Sequence, residues 1–529
     1  MTNRLSGAPV CVVGAGIMGE GIAQVAAQAG HAVRLFDMRE GAAAAAKAKI
    51  ATALDGLVAK GRMGADDMQA LLARITPIAA LEEAAGVALV MEAIVENLDA
   101  KRALFRQLEG IVGEHTVLAT NTSSISVTAI ANGLQQPGRL VGMHFFNPVP
   151  LMKLVEVVAG LQTDAGVAAA VFELGSAWGK TPVHARSTPG FIVNRIARPY
   201  YAETLALLLE QAATPAVLDA CLRGAGFRMG PCELMDLIGH DTNLAVTQSV
   251  FEANFFDKRY MPSGVQAEMV AGGVLGRKSG RGFYRYRDGK AENAALPVAV
   301  IAAPGTAREV SVHGEGAIAD HLEQAATAAL AAQGWGPARL RHSGWTGVEI
   351  DGARLVLTDG RTATELAAVL KCSDIAVFDR PFSHGPGIAS DIAPSIAPYI
   401  APGTAVAYAV AEGCPEAWRT QAAAWLAALG FAPLPVADTP GLVVARTVAM
   451  LINEGADAVL QGVCTPEGAD AAMKLGLNYP AGPFEFLARW SVTEVTALID
   501  TLDTHYRGER YRLSPYLRRR AHLAKAARP

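Results

Sequence analysis

Cysteine is sparse in this 529-residue chain and never closely paired. The full set is Cys11, Cys221, Cys232, Cys372, Cys414 and Cys464, and no two of them form a C-x-x-C. Neither a disulfide framework nor a zinc site is therefore expected, and a reducing compartment fits. No sign of charge dominates either. Lys plus Arg is 46 against 50 for Asp plus Glu, a net of −4. Such a balance offers no basic face to phosphate backbones, so nucleic acid is not an expected partner. The one basic run, Arg518, Arg519 and Arg520 with Lys525 and Arg528, lies at the C-terminal end and reads as a solvated tail. Nowhere does the chain approach the roughly 18 uninterrupted apolar residues that a spanning helix needs, so no membrane contact is expected. A strand pattern starts almost at the first residue and leaves no room for a leader ahead of it. The expectation is a cytoplasmic protein.

Apolar residues are plentiful: 51% are hydrophobic and 18% charged, enough for several buried cores. At roughly 150 residues per domain, the length suggests three or four domains. Residues 9–37 read as strand, glycine turn, helix and strand: PVCVV, GAGIMGEG, IAQVAAQAG and HAVRLFD. An Ala-rich helical hairpin is expected from about 40 to 75, broken at Gly61 and Gly64. ALVMEAIVE, a helix near 99–113, TVLATN, a helix near 125–133 and RLVGMHFFN continue the alternation. That order predicts a mostly parallel sheet with helices on both faces. After TPG at 188–190 the pattern turns helical. FIVNRIARPYYAETLALLLEQ predicts a long amphipathic helix, and further helices run to about 286. GKAENAALP at 289–297 reads as a linker.

The chain also repeats itself. PGFIVNRIARPYYAETLALLLEQAATPAVLDA starts at Pro189 and PGLVVARTVAMLINEGADAVLQGVCTPEGADA at Pro440, an offset of 251. Glu203 aligns with Glu454, Thr214-Pro215 with Thr465-Pro466, and Asp219 with Asp470; one further residue brings Gly230-Pro231 onto Gly482-Pro483. Between the copies, residues 298–438 alternate strand and helix again (PVAVIAA, RLVLTD, DIAVFD, TAVAYAV) but lack a G-x-G-x-x-G. The expected fold is α/β plus all-α, duplicated in tandem. A Rossmann-type domain spans 1–188, a helical domain 189–288, a degenerate Rossmann-like domain 298–438 and a second helical domain 439–529.

Gly14, Gly16 and Gly19 form G-x-G-x-x-G directly after an apolar strand and at the start of a helix. The first glycine permits the tight turn, the second lets backbone approach a pyrophosphate, and the third lets helix pack on strand. The helix start then offers free N–H groups to the phosphate charge. Asp37 ends the next strand eighteen residues past Gly19, where an acid accepts from both ribose hydroxyls and repels a 2′-phosphate. NAD is therefore the expected cofactor. Arg39 stands close enough to soften that preference, although it reads more simply as a surface arginine.

In RLVGMHFFNPVPLMKLVEVV, over 139–158, a histidine sits where a strand runs out, and a second strand carries Glu156. Oxidising an alcohol needs a base working near neutral pH, and His144 suits that task, with Glu156 able to hold the imidazole in one tautomer. Spacing alone equally allows a structural histidine and a solvated strand residue. Together, NTSSISVTAIAN (121–132), MHFFNPVPLMKLVEVV (143–158), STPGFIVNR (187–195) and GRKSGRGFYRY (276–286) resemble the L-3-hydroxyacyl-CoA dehydrogenase family, from about residue 8 to 286. The resemblance implies a Rossmann-type and a helical domain with an acyl-CoA substrate held between them. It makes His144 the general base, Glu156 its partner, Ser123 a hydrogen-bond donor to the substrate oxygen, and Asn194 a residue holding substrate and transition state. It places Glu92, Lys101, Ser123, Asn147 and Lys278 among NAD contacts and Lys60 among coenzyme A contacts. Taken singly, Ser123 could simply cap a helix, and Asn194 and Lys60 could be ordinary polar helix residues. One departure concerns the hairpin: where the family often has a serine near coenzyme A, this chain has Ala53, with Thr52 beside it.

The second copy keeps the helical frame and loses the chemistry. Asn194 aligns with Ala445, and 298–438 holds no second His-Phe-Phe-Asn-Pro and no glycine fingerprint. A second active site is not expected. Single-unit relatives dimerise through their helical domains, so residues 440–490 are expected to cover that surface from within, an intramolecular pseudo-dimer, with homo-oligomers still open. The long form resembles the bacterial family members that act on 3-hydroxyadipyl-CoA in phenylacetate breakdown; 3-hydroxybutyryl-CoA is the alternative. Arg195, Arg198 and Arg228 are candidates to meet a distal carboxylate. Two other readings are a dehydrogenase of small free hydroxyacids and a non-catalytic dinucleotide-binding relative.

Overall fold

The computed structural model describes residues 5–292, 296, 301, 303–382 and 400–526. The chain forms two compact units, Met1–Ile196 with Ala458–Phe484, and Ala197–Asp457 with Glu485–Pro529. This partition crosses the expected four-part division, because a piece of the second helical copy belongs with the first unit.

The first unit carries eight strands: β1 (Val10–Val13), β2 (Val33–Phe36), β3 (Ile75–Pro77), β4 (Leu89–Glu92), β5 (Val117–Thr120), β6 (Leu140–Phe145), β7 (Leu154–Ala159) and β8 (Thr181–Arg186). Their order is β3-β2-β1-β4-β5-β6-β7-β8. β1 to β6 run parallel, β7 is antiparallel to β6, and β8 is parallel to β7. β1, β4 and β5 are buried at every position, as strands must be when helices cover both faces. The sheet grows to either side of β1, so the carboxyl ends of β1 and β4 bound the crevice where such sheets hold ligands. The expected hairpin is present as helices Ala42–Val58 and Ala65–Ala73. Helix Pro466–Leu477, from the second copy, packs on β7, β8 and the short helix Val193–Ile196.

In the second unit, the stretch expected as one amphipathic helix is broken, with Val193–Ile196 on the far side of the break and Arg198–Leu209 here. Pro199, which has no N–H to give an earlier turn, starts the new helix. That helix is buried around most of its girth, Tyr200, Tyr201, Glu203, Thr204, Leu205 and Leu207 included, so amphipathic was the wrong description. Part of the expected linker forms a small hairpin between β9 (Tyr286–Arg287) and β10 (Lys290–Ala291). Residues 293–295 and 297 of it, and most of PVAVIAA, lie outside the described residues. The basic run at the end is exposed, as expected of a solvated segment, but helical: it lies in helix Pro515–Ala526, where Arg518 makes two hydrogen bonds to Asp500 at 2.9 and 2.8 Å. Arg528 lies outside the described residues.

The second sheet comprises β11 (Val310–His313), β12 (Ala338–Leu340), β13 (Gly347–Ile350), β14 (Ala353–Leu357), β15 (Ile375–Phe378), β16 (Thr404–Val410) and β17 (Phe431–Pro435), in the order β12-β11-β13-β14-β15-β16-β17. Place for place it matches β2-β1-β4-β5-β6-β7-β8, except that β13 runs against both its neighbours. A glycine turn is present after all. β11 runs into Gly314-Glu315-Gly316 and then helix Ala317–Leu330, and only the third glycine is missing, replaced by Ala319. Among the described residues no helix is long and apolar enough to cross a membrane.

Candidate active site

Four parallel strands deliver their carboxyl ends to one edge of the first sheet: the glycine turn after β1, Glu92 at the end of β4, the NTSS loop after β5, and His144 near the end of β6. Gly14 has φ 104°, and a Cβ there would lie 2.4 Å from the Ala93 carbonyl oxygen. A Cβ on Gly19 would meet the Gly14 oxygen at 1.7 Å, whereas one on Gly16 would meet nothing within 4 Å. Two glycines thus close the turn onto its neighbours and the middle one faces open space, the arrangement a pyrophosphate requires. The residues present fit NAD. Asp37 accepts the Ala15 N–H at 2.8 Å and the Arg39 side chain at 3.0 Å. Partial burial opposes its charge, but the hydrogen bonds from Arg39 and the Ala15 amide outweigh it and hold the carboxyl at about 2. It is ionised at any working pH, as a ribose-hydroxyl acceptor should be.

The antiparallel register sets His144 directly opposite Glu156. Nδ1 of His144 lies 2.6 Å from Oε2 of Glu156, and both residues are buried. The other oxygen, Oε1, accepts the Ile192 and Val193 N–H groups at 3.0 Å each. Glu156 therefore fixes the imidazole to the start of the PGFIVNR helix. The Phe146 and Phe191 rings pack against the imidazole at 4.5 and 5.9 Å. With the proton on Nδ1, Nε2 keeps a lone pair and has no protein partner among the described residues.

Ser123 is half-buried, its N–H bonded to Glu96 at 2.9 Å. Asn194 brings Nδ2 to 3.5 Å from the Ser123 carbonyl, so the structure joins these two predicted residues to the dyad in one unit. Glu96 is the residue that sequence reasoning missed. One oxygen, Oε1, accepts from the Thr122 hydroxyl, the Ser123 and Ser124 amides and the Ser124 hydroxyl at 2.7 to 3.1 Å, shaping the whole NTSS loop. Burial opposes its charge, but Lys101 and these donors outweigh it and hold its carboxyl below the usual range.

Glu92 and Lys101 are sealed in and turned on each other at 2.6 Å, Glu92 also accepting from Thr120 at 2.6 Å. An NAD contact at these two positions would run through backbone or through Glu96, which Lys101 also pairs with at 3.2 Å. Asn147 is exposed in the loop after β6. Lys60 lies just past the end of helix Ala42–Val58, exposed like Ala53 on the helix itself, and the Thr52 hydroxyl is spent on the Ala48 carbonyl. Lys278 belongs to the second unit, where it pairs with Asp241 at 2.5 Å.

A dinucleotide crevice flanked by a histidine–carboxylate pair at one sheet edge defines an NAD-dependent dehydrogenase acting on a hydroxyl group. The family model of the 3-hydroxyacyl-CoA dehydrogenase NAD-binding domain matches residues 9–188, and that of the C-terminal domain matches 190–286 and again 441–528. A third, the 3-hydroxybutyryl-CoA dehydrogenase reduced Rossmann-fold domain, matches 355–440. The chain belongs to the 3-hydroxyacyl-CoA dehydrogenase family and is an NAD-dependent oxidoreductase. It is 41% identical over 515 residues to the 3-hydroxyadipyl-CoA dehydrogenase of Escherichia coli K12, covering 97% of each chain. It is 41% identical over 287 residues to human mitochondrial hydroxyacyl-coenzyme A dehydrogenase, covering 53% of this chain and 91% of that one. Among solved structures it is similar to one described as 3-hydroxybutyryl-CoA dehydrogenase from E. coli K12, with TM-score 0.83, 41% identity, and 98% and 99% of the two chains covered.

Proposed function

We propose that this chain oxidises 3-hydroxyadipyl-CoA to its 3-oxo thioester, as its E. coli relative's name describes, in the cytoplasm. The observation that carries the chemistry is the 2.6 Å contact between His144 and Glu156. Nε2 of His144 takes the C3 hydroxyl proton, while the Glu156 carboxylate stabilises the imidazolium that results. NAD⁺, when bound, accepts the hydride that leaves C3. The Ser123 hydroxyl orients the substrate oxygen and Asn194 steadies substrate and transition state. In the reverse direction His144 returns the proton. Glu92, Lys101, Asn147 and Lys278 are assigned to the NAD side and Lys60 to coenzyme A on family resemblance.

A distal carboxylate needs a cation. Of the three candidates, Arg195 is buried with Gln461 at 2.8 Å, Arg198 is buried with the Thr247 hydroxyl at 2.9 Å, and Arg228 is exposed. The E. coli structure's description favours 3-hydroxybutyryl-CoA as the second reading. NADH appearance with each thioester decides between them. A charged contact predicts a kcat/KM preference for the adipyl substrate of roughly tenfold or more; a preference for the butyryl substrate reverses the assignment.

We also infer that the chain arose by tandem duplication and that its helical copies form an internal pseudo-dimer. Glu203 accepts from Arg510 Nε at 3.0 Å and the Tyr511 hydroxyl at 2.9 Å. Glu454 accepts from Arg259 Nη1 at 3.3 Å and the Tyr260 hydroxyl at 2.6 Å. All three correspondences, Glu203 with Glu454, Arg259 with Arg510 and Tyr260 with Tyr511, share the 251-residue offset. Such reciprocity is the mark of an isologous contact. Removing residues 298–529 should leave an insoluble or self-associating fragment; a monomeric, fully active one would refute the pseudo-dimer.

A further inference from the structure

Unequal strand lengths leave a gap beside the imidazole. On the side of β7, β6 is paired as far as Phe145, and this register sets His144 opposite Glu156. On the side of β5 the ladder ends at Gly142, opposite Thr120, because the chain leaves β5 there for the NTSS loop. His144 and Phe145 thus project past the last rung on that side. A buried strand N–H beyond its ladder needs another acceptor. Phe145 is buried, and its N–H donates to Oδ1 of the half-buried Asn121 at 2.9 Å. The Asn121 carboxamide therefore serves where a further carbonyl of β5 would have been.

Asn121 is also fixed at its backbone, its N–H donating to the Glu92 carbonyl at the end of β4 at 2.8 Å. Next along the chain, the Thr122 hydroxyl and the Ser123 N–H both donate to Glu96, at 2.7 and 2.9 Å. The Glu96 contacts tie the loop back to the segment after β4. The Asn121 side chain ties it forward to β6, one residue beyond His144. On the roles proposed above for Ser123 and His144, on which this inference rests, one substrate oxygen must meet the Ser123 hydroxyl and Nε2 of His144 together. We propose that Asn121 is a positioning residue of the oxidation, its carboxamide setting the separation between those two groups. The glycine turn and Asp37 follow β1 and β2, so the cofactor's grip does not depend on it.

Steady-state kinetics of the full chain test this role. Asn121→Leu, similar in size but without an acceptor, should lower kcat by roughly tenfold or more, because small misplacements of reacting groups are costly. The KM for NAD⁺ should stay within about twofold. Asn121→Asp, isosteric and still an acceptor, should recover most of the loss at its own pH optimum. In a Ser123→Ala background, Asn121→Leu should lower kcat by less than about threefold, since one of the two groups it separates is gone. A general weakening of the fold would act alike in both backgrounds. If Asn121→Leu does not melt cooperatively, Asn121→Ala takes its place in each comparison.

Any of three results overturns the proposal: full activity of Asn121→Leu, an equal loss in Asn121→Asp, or an undiminished loss in the Ser123→Ala background. Ser123→Ala and His144→Gln are measured alongside. Full activity in either sinks the reading beneath the proposal, whereas their loss beside a fully active Asn121→Leu sinks the positioning role alone.

Discussion

In the first unit Glu156 divides its oxygens between two tasks, Oε1 receiving the Ile192 and Val193 amides and Oε2 holding His144. In the second unit Asp379, just past β15, receives the Val443, Val444 and Ala445 amides with both of its oxygens. Val443 and Val444 stand 251 residues after Ile192 and Val193. Carrying that offset across the sheet register equates Val183 with Leu434, hence Glu156 with Ala407 and its opposite number His144 with Asp379. In the second unit the carboxylate stands in the place that the histidine holds in the first, and it serves only the helix start. A helix N-terminus buried against a sheet needs an acceptor whether or not chemistry is done there. In both units, then, a carboxylate takes the first amides of a buried helix, and in the first unit its other oxygen also holds an imidazole.

The largest effect that sharpens this comparison lies in the helical copies. Glu203→Gln removes a fully buried charge from both Arg446 and Arg510, and about 3–5 kcal/mol of stability should go with it, read from denaturant midpoints. Glu454→Gln, its counterpart, should cost less, because Arg259 keeps Asp457. If Glu454→Gln proves the more damaging, the two sites are not alternatives of one design. Next comes the dyad. His144→Gln should lower kcat by about 10²-fold or more while NADH fluorescence titration shows unaltered cofactor affinity. Asp379→Asn, in the matching place, should leave kcat alone. Unchanged turnover in the first variant would remove His144 as the base.

Much of this was legible beforehand, and for identifiable reasons. β1, β4 and β5 were read because strands covered on both faces leave uninterrupted apolar runs. The repeat's Asp219 and Asp470 were read because each carboxylate receives the first amides of a following helix, Cys232 and Glu233 in one copy and Phe484 in the other. His144 and Glu156 sit twelve residues apart, and only the antiparallel register brings them together, so family resemblance rather than spacing singled them out. Glu96 left no signal, since its job exists only once β4 and β5 set their carboxyl-end loops side by side. The turn at Gly314 was passed over because a third glycine was required; Ala319 fills that place and is fully buried.

Asp379 also predicts a pH signature opposite to that of Glu203. Burial raises the Asp379 carboxyl to about 6 despite its amide donors, whereas at Glu203 burial is outweighed by Arg510 and Arg446 and the carboxyl lies below its usual range. Between about pH 4 and 6 folded Asp379 keeps a proton that the unfolded chain has already lost. Stability from this group therefore falls as pH rises through that window, by at most about 3 kcal/mol. The stability from Glu203 is present above the usual carboxylate range and is lost as pH falls. Unfolding midpoints across the window should lose the Asp379 component in Asp379→Asn; an unaltered slope would assign it elsewhere.

The smallest effect tests whether the second copy's helix supports the first unit's dyad. A Cβ on Gly476 would lie 2.8 Å from Leu154 Cδ2, 3.2 Å from Val193 Cγ2 and 3.7 Å from Phe146 Cε1. Leu154 begins the strand that carries Glu156, the Val193 amide bonds Glu156, and the Phe146 ring packs on His144. All three contacts therefore lead to one hydrogen bond. Gly476→Val overfills the contact and should cost about 1–3 kcal/mol, and the displaced strand should lower kcat several-fold with the KM for NAD⁺ unchanged. Gly476→Ala, which one shifted leucine methyl can accommodate, should do less on both counts. If Gly476→Val lowers stability and spares kcat, the helix supports the sheet alone, and the second copy takes no part in holding the imidazole.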